Sequence, residues 1–301
     1  MPKLEQNSRG ILLGFAACGL WGLYPLYFDR LADSSAWEIA AHRVVWTLLV
    51  AVVGITVVRQ WGNARAVWAN RRVLGTLAAA GAIIALNWTI YVWAVVNDRI
   101  VDAALGYFVN PLFTAALAIG VLHERLRTGQ IVALGIGAAA VVVLVVGYGE
   151  VPWVALGLAL TFSAYSLAKN RVGPYAKPLV GLGVETAAVT PAALAFIVWL
   201  QATGAGTFFG HGPTHTWLLL LLGVVTAAPL LFFAAAASRV PLSLLGLIQY
   251  LTPTLQFIIG VAVNHEVMPL ARWIGFGLVW CALAALTWDS VAAARHPSPS
   301  G

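Results

Sequence analysis

Charge is scarce in this chain. Asp, Glu, Lys and Arg make up 9% of its 301 residues and hydrophobic residues 61%, whereas a soluble globular chain carries about 25% charged residues. So few charges cannot coat a water-exposed surface, which excludes a soluble enzyme and equally a disordered chain. Cysteine is scarcer still. Cys18 and Cys281, both in apolar runs, exclude a disulfide scaffold. There is no Gly-x4-Gly-Lys-Ser/Thr stretch, so the chain does not drive anything by hydrolysing ATP itself. Metal and cofactor motifs are also wanting. Gly135–Ala140 fits a loose dinucleotide fingerprint but lies inside an apolar run with no strand before it. His123-Glu124 lacks the following His of a zinc protease, and serves better to cap a helix end or to bind Arg125 and Arg127. His211 and His215 sit four apart in a Gly/Pro-rich loop that promises no fixed ligand geometry. No metal, no cofactor and no nucleic acid is expected.

What is present is apolar length. A transmembrane helix needs about 20 mostly apolar residues, and ten such runs can be read at 10–29, 37–58, 73–96, 101–122, 129–148, 152–168, 179–200, 216–237, 241–263 and 270–289. The longest loops are 59–72, 169–178 and 201–215, none large enough for a soluble domain. The polar composition of 291–301 predicts a disordered tail. The first run is followed by more membrane-like sequence, Leu20–Tyr24, and so reads as an uncleaved span, not a signal peptide.

The net charge of +6 reads as topology. If the ten spans alternate, thirteen Lys and Arg fall on the side of the N-terminus: Lys3, Arg9, Arg59, Arg65, Arg71, Arg72, Arg125, Arg127, Lys169, Arg171, Lys177, Arg239 and Arg295. Three fall opposite, Arg30, Arg99 and Arg272, and Arg43 lies within a span. Basic loops stay in the cytoplasm, so both termini are expected there, in a multi-pass protein of a bacterial inner membrane.

The chain also repeats itself. Pro111 and Pro253, His123-Glu124 and His265-Glu266, and Gly135 and Gly277 are each 142 residues apart. Arg99-Ile100 and Leu105-Gly106 match Arg239-Val240 and Leu245-Gly246 at 140, implying a two-residue slip. Each half, 1–148 and 149–290, then holds five spans. Five is odd, so the second half enters the membrane inverted, the architecture of many secondary transporters. The expected fold is all-α, an integral membrane protein of ten transmembrane helices in two inverted five-helix repeats.

Interrupted helices and intramembrane polar groups are the pointers to a site. Pro111 and Pro253 kink the middle of spans four and nine, with Tyr107 and Asn110 before one and Gln249, Tyr250 and Thr252 before the other. Tyr107 with Pro111, and Gln249 with Pro253, are four apart and share a helix face. Asn87 and Tyr91 share a face of span three, and Trp21 and Tyr24 sit near the outer end of span one. These eight residues, Trp21, Tyr24, Asn87, Tyr91, Tyr107, Asn110, Gln249 and Tyr250, are the candidate solute-binding set. The candidates for charge and coupling are Glu185, His42, Arg43 and Asp102. Of these His42 has an ordinary pKa near neutrality, and Asp102 can equally serve the dipole at a helix N-terminus. Glu38 is read as interfacial. Gly10, Gly14, Cys18 and Gly22 form a small-residue ridge for close helix packing.

Several separated stretches resemble one known family. Gly19–Pro25, Ala41–Trp46, Asn87-Trp88 with Trp93-Ala94, Leu105–Pro111, Leu122–Arg125, Val184–Thr186 and Gln249–Pro253 are similar to the RarD group of EamA-type proteins in the drug/metabolite transporter superfamily. The resemblance spans nearly the whole chain. It implies a permease of the chloramphenicol-sensitivity or resistance type, one that exports small metabolites or drugs by alternating access from a midplane site. Small-molecule substrate, bilayer lipid and protons as coupling ion are the partners implied. An intramembrane enzyme acting on lipid is the alternative at this point.

Overall fold

The computed structural model describes residues 2–122, 128–148, 151–240 and 242–295. Among them every regular element is helical. The crossings are α1 (Pro2–Gly22) continued by α2 (Tyr24–Asp29), α3 (Ala36–Val57), α5 (Arg71–Val96), α6 (Ile100–Leu122), α7 (Thr128–Tyr148), α8 (Trp153–Val172), α9 (Pro178–Thr203), α10 (Pro213–Ala237), α11 (Leu242–Gln249) continued by α12 (Leu251–Ile258), and α13 (Leu270–Arg295). Seven spans are long and apolar enough to cross a membrane, and Ile100–Thr114 and Ile131–Val146 are shorter apolar helices. The tenth, α8, is more polar because Thr161, Ser163, Tyr165 and Lys169 occur along it.

Local chemistry sets the helix ends. Ser35 caps α3 by accepting from the Glu38 amide, and Asn70 caps α5 by accepting from those of Arg72 and Val73. Pro178 and Pro213 open α9 and α10, where a missing N–H costs nothing. Gly204 closes α9 in the left-handed conformation, φ 72°.

Large apolar side chains such as Leu12, Val53, Val146, Val198 and Trp217 point outward along the helices, as a lipid-facing surface requires.

Some expectations change. The loop 59–72 contains a short helix, α4 (Trp61–Ala69), which buries Ala64 and Val67. Helix α13 runs on to Arg295, so 291–295 belong to it and 296–301 lie outside the described residues. The His123-Glu124 cap with Arg125 and Arg127 also lies outside them.

Span nine is not one helix. A proline ring collides with the carbonyl four residues earlier, here that of Gln249. The helix is interrupted at Tyr250, and a π-turn follows at Ile259–Val263. Gln249 is therefore exposed while Pro253 is buried, and the two do not share a face. Pro111 leaves α6 unbroken, as do Pro191 in α9 and Pro229 in α10.

The two halves repeat closely. Helices α3 and α5 start at 36 and 71, and α9 and α10 at 178 and 213, each pair 142 apart. Packing follows the same exchange. Helix α1 lies on α10, as α8 lies on α5, and α1 lies on α12, as α8 lies on α6. Helix α3 lies on α10, as α9 lies on α5. The pairs α3–α9, α6–α12 and α7–α13 map onto themselves. Helices α7 and α13 pack chiefly on each other, leaving α1–α3, α5, α6 and α8–α12 around the interior. The glycine ridge of α1 makes this close. Gly10 faces Arg239 and Val240, Gly14 faces Leu245 and Ile248, and Gly22 faces Leu255.

Candidate functional site

Arg43 lies at the centre of the interior, on the second turn of α3 and 4% exposed. Its guanidinium carbon is 4.2 Å from the ring centroid of Trp88, 5.3 Å from Tyr24 and 5.6 Å from Phe28. These rings come from α2 and α5. Desolvated cation–π contacts of this kind are worth about 2 kcal/mol at best. Arg43 Nε donates to Thr226 Oγ1 of α10 at 2.9 Å. Tyr24 donates to the carbonyl of Val225 at 2.7 Å, and Tyr27 to that of Leu218 at 2.5 Å, so α2 is tied to α10 beside the cation.

An aromatic series leads away from this point. Tyr91 is 6.5 Å from Tyr24 and 5.8 Å from Tyr107, Tyr107 is 6.0 Å from Phe162, and Phe162 is 6.1 Å from Tyr165. Asn87 is fixed by donating to the Leu158 carbonyl (3.1 Å) and Thr161 Oγ1 (2.8 Å) of α8, while its Oδ1 faces the Tyr107 hydroxyl at 3.5 Å. One turn further along α6, Asn110 Oδ1 accepts from Ser163 at 2.7 Å.

The series ends at a second charge. Glu185, 1% exposed, accepts from the Tyr165 hydroxyl at 3.0 Å and from Lys169 Nζ at 2.5 Å. Tyr165 and Lys169 are four residues apart on α8 and so reach the same carboxylate.

Of the proposed binding residues, then, Tyr24, Asn87, Tyr91, Tyr107 and Asn110 adjoin one another. Trp21 lies at the edge of this set, hydrogen-bonded to Tyr24 and with its ring 5.5 Å from Phe233. Tyr250 opens onto a cavity of about 520 Å³ with Phe108, Trp280 and Thr287, none of which touches Arg43. Gln249 is exposed.

His42 faces away from Arg43. It stacks on Phe208 at 4.9 Å, and its Nδ1 accepts from Trp46 Nε1 at 3.2 Å. Glu38 is buried rather than interfacial. The 201–215 loop folds over the N-terminal end of α3, and the Thr207 amide donates to Glu38 Oε1 at 2.7 Å. The same loop brings Ser34, Thr207 and His215 together, with Ser34 Oγ 2.9 Å from His215 Nε2. This grouping was not read from the sequence, because its members are 173 and 181 residues apart. Glu38 bonds Thr207 rather than His215, so the carboxylate that orients the base of a nucleophilic triad is missing here among the described residues.

Asp102 belongs to an ionic cluster at the start of α6, where it bonds Arg99 at 2.7 Å and Arg272 at 3.1 Å. Glu266, from the loop after the π-turn, accepts from the amides of Ile100 (2.5 Å) and Val101 (3.2 Å) at the start of α6. This links the two halves. Burial pushes the Glu266 carboxyl up to about 7, against the opposing pull of those amides and of Arg272, with Asp102 adding to the rise. A carboxyl raised in the folded state contributes stability that is complete below its unfolded value near 4.5 and is lost as pH rises through about 7. The thermal midpoint of the wild type in detergent is therefore expected to fall by a few degrees from pH 4.5 to 8, with a smaller fall for Glu266→Gln. Equal slopes would assign the fall to other groups.

Comparison with known proteins sets this geometry in context. The EamA-like transporter family matches residues 8–146. "Protein RarD" of Streptomyces exfoliatus is 48% identical, over 98% of this chain and 93% of that one. "Uncharacterized transporter YojE" of Bacillus subtilis is 37% identical, over 95% and 96%. "Chloramphenicol-sensitive protein RarD" of Pseudomonas aeruginosa is 29% identical, over 99% and 100%. The crystal structure of another protein shares the fold at TM-score 0.60 and 20% identity, covering 94% of this chain and 98% of that one.

Proposed function

The chain belongs to the EamA-like transporter family, in its RarD group, and we propose that it is a secondary transporter exporting small amphipathic metabolites or drugs. The observation that carries this reading is the buried cluster of Arg43, Tyr24, Trp88, Tyr91, Tyr107 and Asn87, assembled from α2, α3, α5 and α6 and closed by α8 and α10. Both halves, 1–148 and 149–290, contribute to its walls. Rocking one inverted half against the other would expose such a site to each face in turn. An apolar pocket with a few convergent polar groups is what an amphipathic solute requires. Orientation follows from the basic loops: termini in the cytoplasm, in the inner membrane of a bacterium.

Glu185, with Lys169 and Tyr165, is the proposed coupling group, and the proton the proposed coupling ion. Gln at 185 keeps the shape and the partnership with Tyr165 but cannot exchange a proton. Glu185→Gln is expected to insert normally and to lower pH-gradient-driven transport in reconstituted vesicles about tenfold or more, the equivalent of one charge-assisted hydrogen bond. Unchanged flux would remove Glu185 from the mechanism.

A further inference from the structure

The two buried charges of α3 and α9 occupy equivalent places. Arg43 and Glu185 are 142 positions apart, the separation of the starts of α3 and α9 and of α5 and α10. Their surroundings differ in one respect. The chain itself compensates Glu185, through Lys169 and Tyr165 of α8. The first-half position equivalent to Lys169 is Tyr27, which bonds the Leu218 carbonyl instead.

Arg43 is thus left with donors to spare. A guanidinium has five N–H groups, and two acceptors serve them, Thr226 Oγ1 at Nε and the Tyr24 hydroxyl. No carboxylate pairs with it among the described residues. The rings of Trp88, Tyr24 and Phe28 stabilise its charge through their faces. Beside it the Tyr91 hydroxyl is fully buried and without a partner. The Tyr107 hydroxyl reaches only to 3.5 Å from Asn87 Oδ1. Donors outnumber acceptors here, around a cation that burial makes expensive to leave without a counter-charge.

We infer that the counter-ion arrives with the solute: Arg43 and Tyr91 bind the carboxylate or phosphate of an organic anion whose apolar body lies against the rings of Tyr107 and Phe162. The inference rests on the transport reading and names its substrate class. A planar guanidinium matches either oxyanion with two parallel bonds. The aromatic series towards Tyr165 supplies stacking surface for the remainder of the solute.

The test uses the full chain in proteoliposomes, with counterflow and competition measured for phenylacetate, phenyl phosphate, phenylacetamide and phenethylamine, and with sodium chloride at equal ionic strength. Exchange is expected for the organic anions, with the amide and the amine about tenfold weaker or more, the worth of a charge-assisted bond. Arg43→Gln is expected to remove the preference for anions. Tyr91→Phe loses no protein hydrogen bond and keeps the ring, so it reads the site even if Arg43→Gln fails to fold. It is expected to weaken the anions severalfold and leave the amide unchanged. Exchange without charge preference, anion exchange untouched by both variants, or chloride competing as well as phenylacetate overturns the inference while the transport reading stands. Exchange of no panel member overturns both.

Discussion

Lys169→Met is expected to destabilise the folded protein by about 3–5 kcal/mol, the cost of leaving one partner of a buried pair uncompensated. Glu185→Gln is expected to cost clearly less. The asymmetry comes from exposure. The Glu185 side chain is 1% exposed and has no route to water, whereas that of Lys169 is 29% exposed. Without its partner, Lys169 can turn its ammonium to water on a flexible stem. Without Lys169, Glu185 keeps a single bond from Tyr165. The double variant is expected to regain most of the loss, because two residues in contact are strongly non-additive. Thermal unfolding in detergent of the two single variants and the double one checks this. An equal or larger loss for Glu185→Gln would mean that the pair is not what holds α8 to α9.

A second large effect is expected at two glycines that are also repeat partners, 142 apart. A Cβ at Gly81 in α5 would collide with the carbonyl of Glu185, and one at Gly223 in α10 with the carbonyl of Trp46. In both places the obstacle is the backbone of the helix that carries a buried charge, and backbone cannot turn aside as a side chain can. Gly81→Val and Gly223→Val are expected to cost about 3 kcal/mol or more, the upper range for overpacking, and to reduce the yield of folded protein sharply. Gly75 in the same helix has open space around its Cα. There Gly75→Ala is expected to be neutral or to gain about 1 kcal/mol of helix propensity. Retention on size-exclusion chromatography after brief heating separates the three variants. Wild-type behaviour of Gly81→Val would show that α5 and α9 do not approach as closely as described.

These cases show what could be read from the chain and what could not. Ten spans were legible because burial in lipid demands long apolar runs, and the even count was legible because basic residues sort to one side. The depth of Arg43 and Glu185 was legible for the same reason. Their surroundings were not. Lys169 looked like one more cytoplasmic charge, since nothing in a linear reading shows α8 continuing to Val172 and turning Lys169 towards α9. The rings around Arg43 come from α2 and α5, and only packing selects Tyr24, Phe28 and Trp88 from the chain's aromatics. One signal was available and went unused. The spacing that relates Pro111 to Pro253 also relates Arg43 to Glu185, so the two charges could have been recognised as equivalents before their partners were known. Glu38 was misplaced because position along a helix does not reveal that a distant loop, 201–215, will fold over its end. Gln249 was misplaced because the helix face was extrapolated through the point where Pro253 breaks it.

The central claim is that the chain moves solutes across the membrane. Counterflow tests it most directly. Proteoliposomes loaded with an unlabelled solute take up the same labelled solute from outside, across a panel of amphipathic candidates and without any imposed gradient. Transient accumulation above equilibrium for at least one solute, abolished in protein-free vesicles, is the predicted result. Vesicles that accumulate none of them, while their lipids are converted to new products, would contradict it.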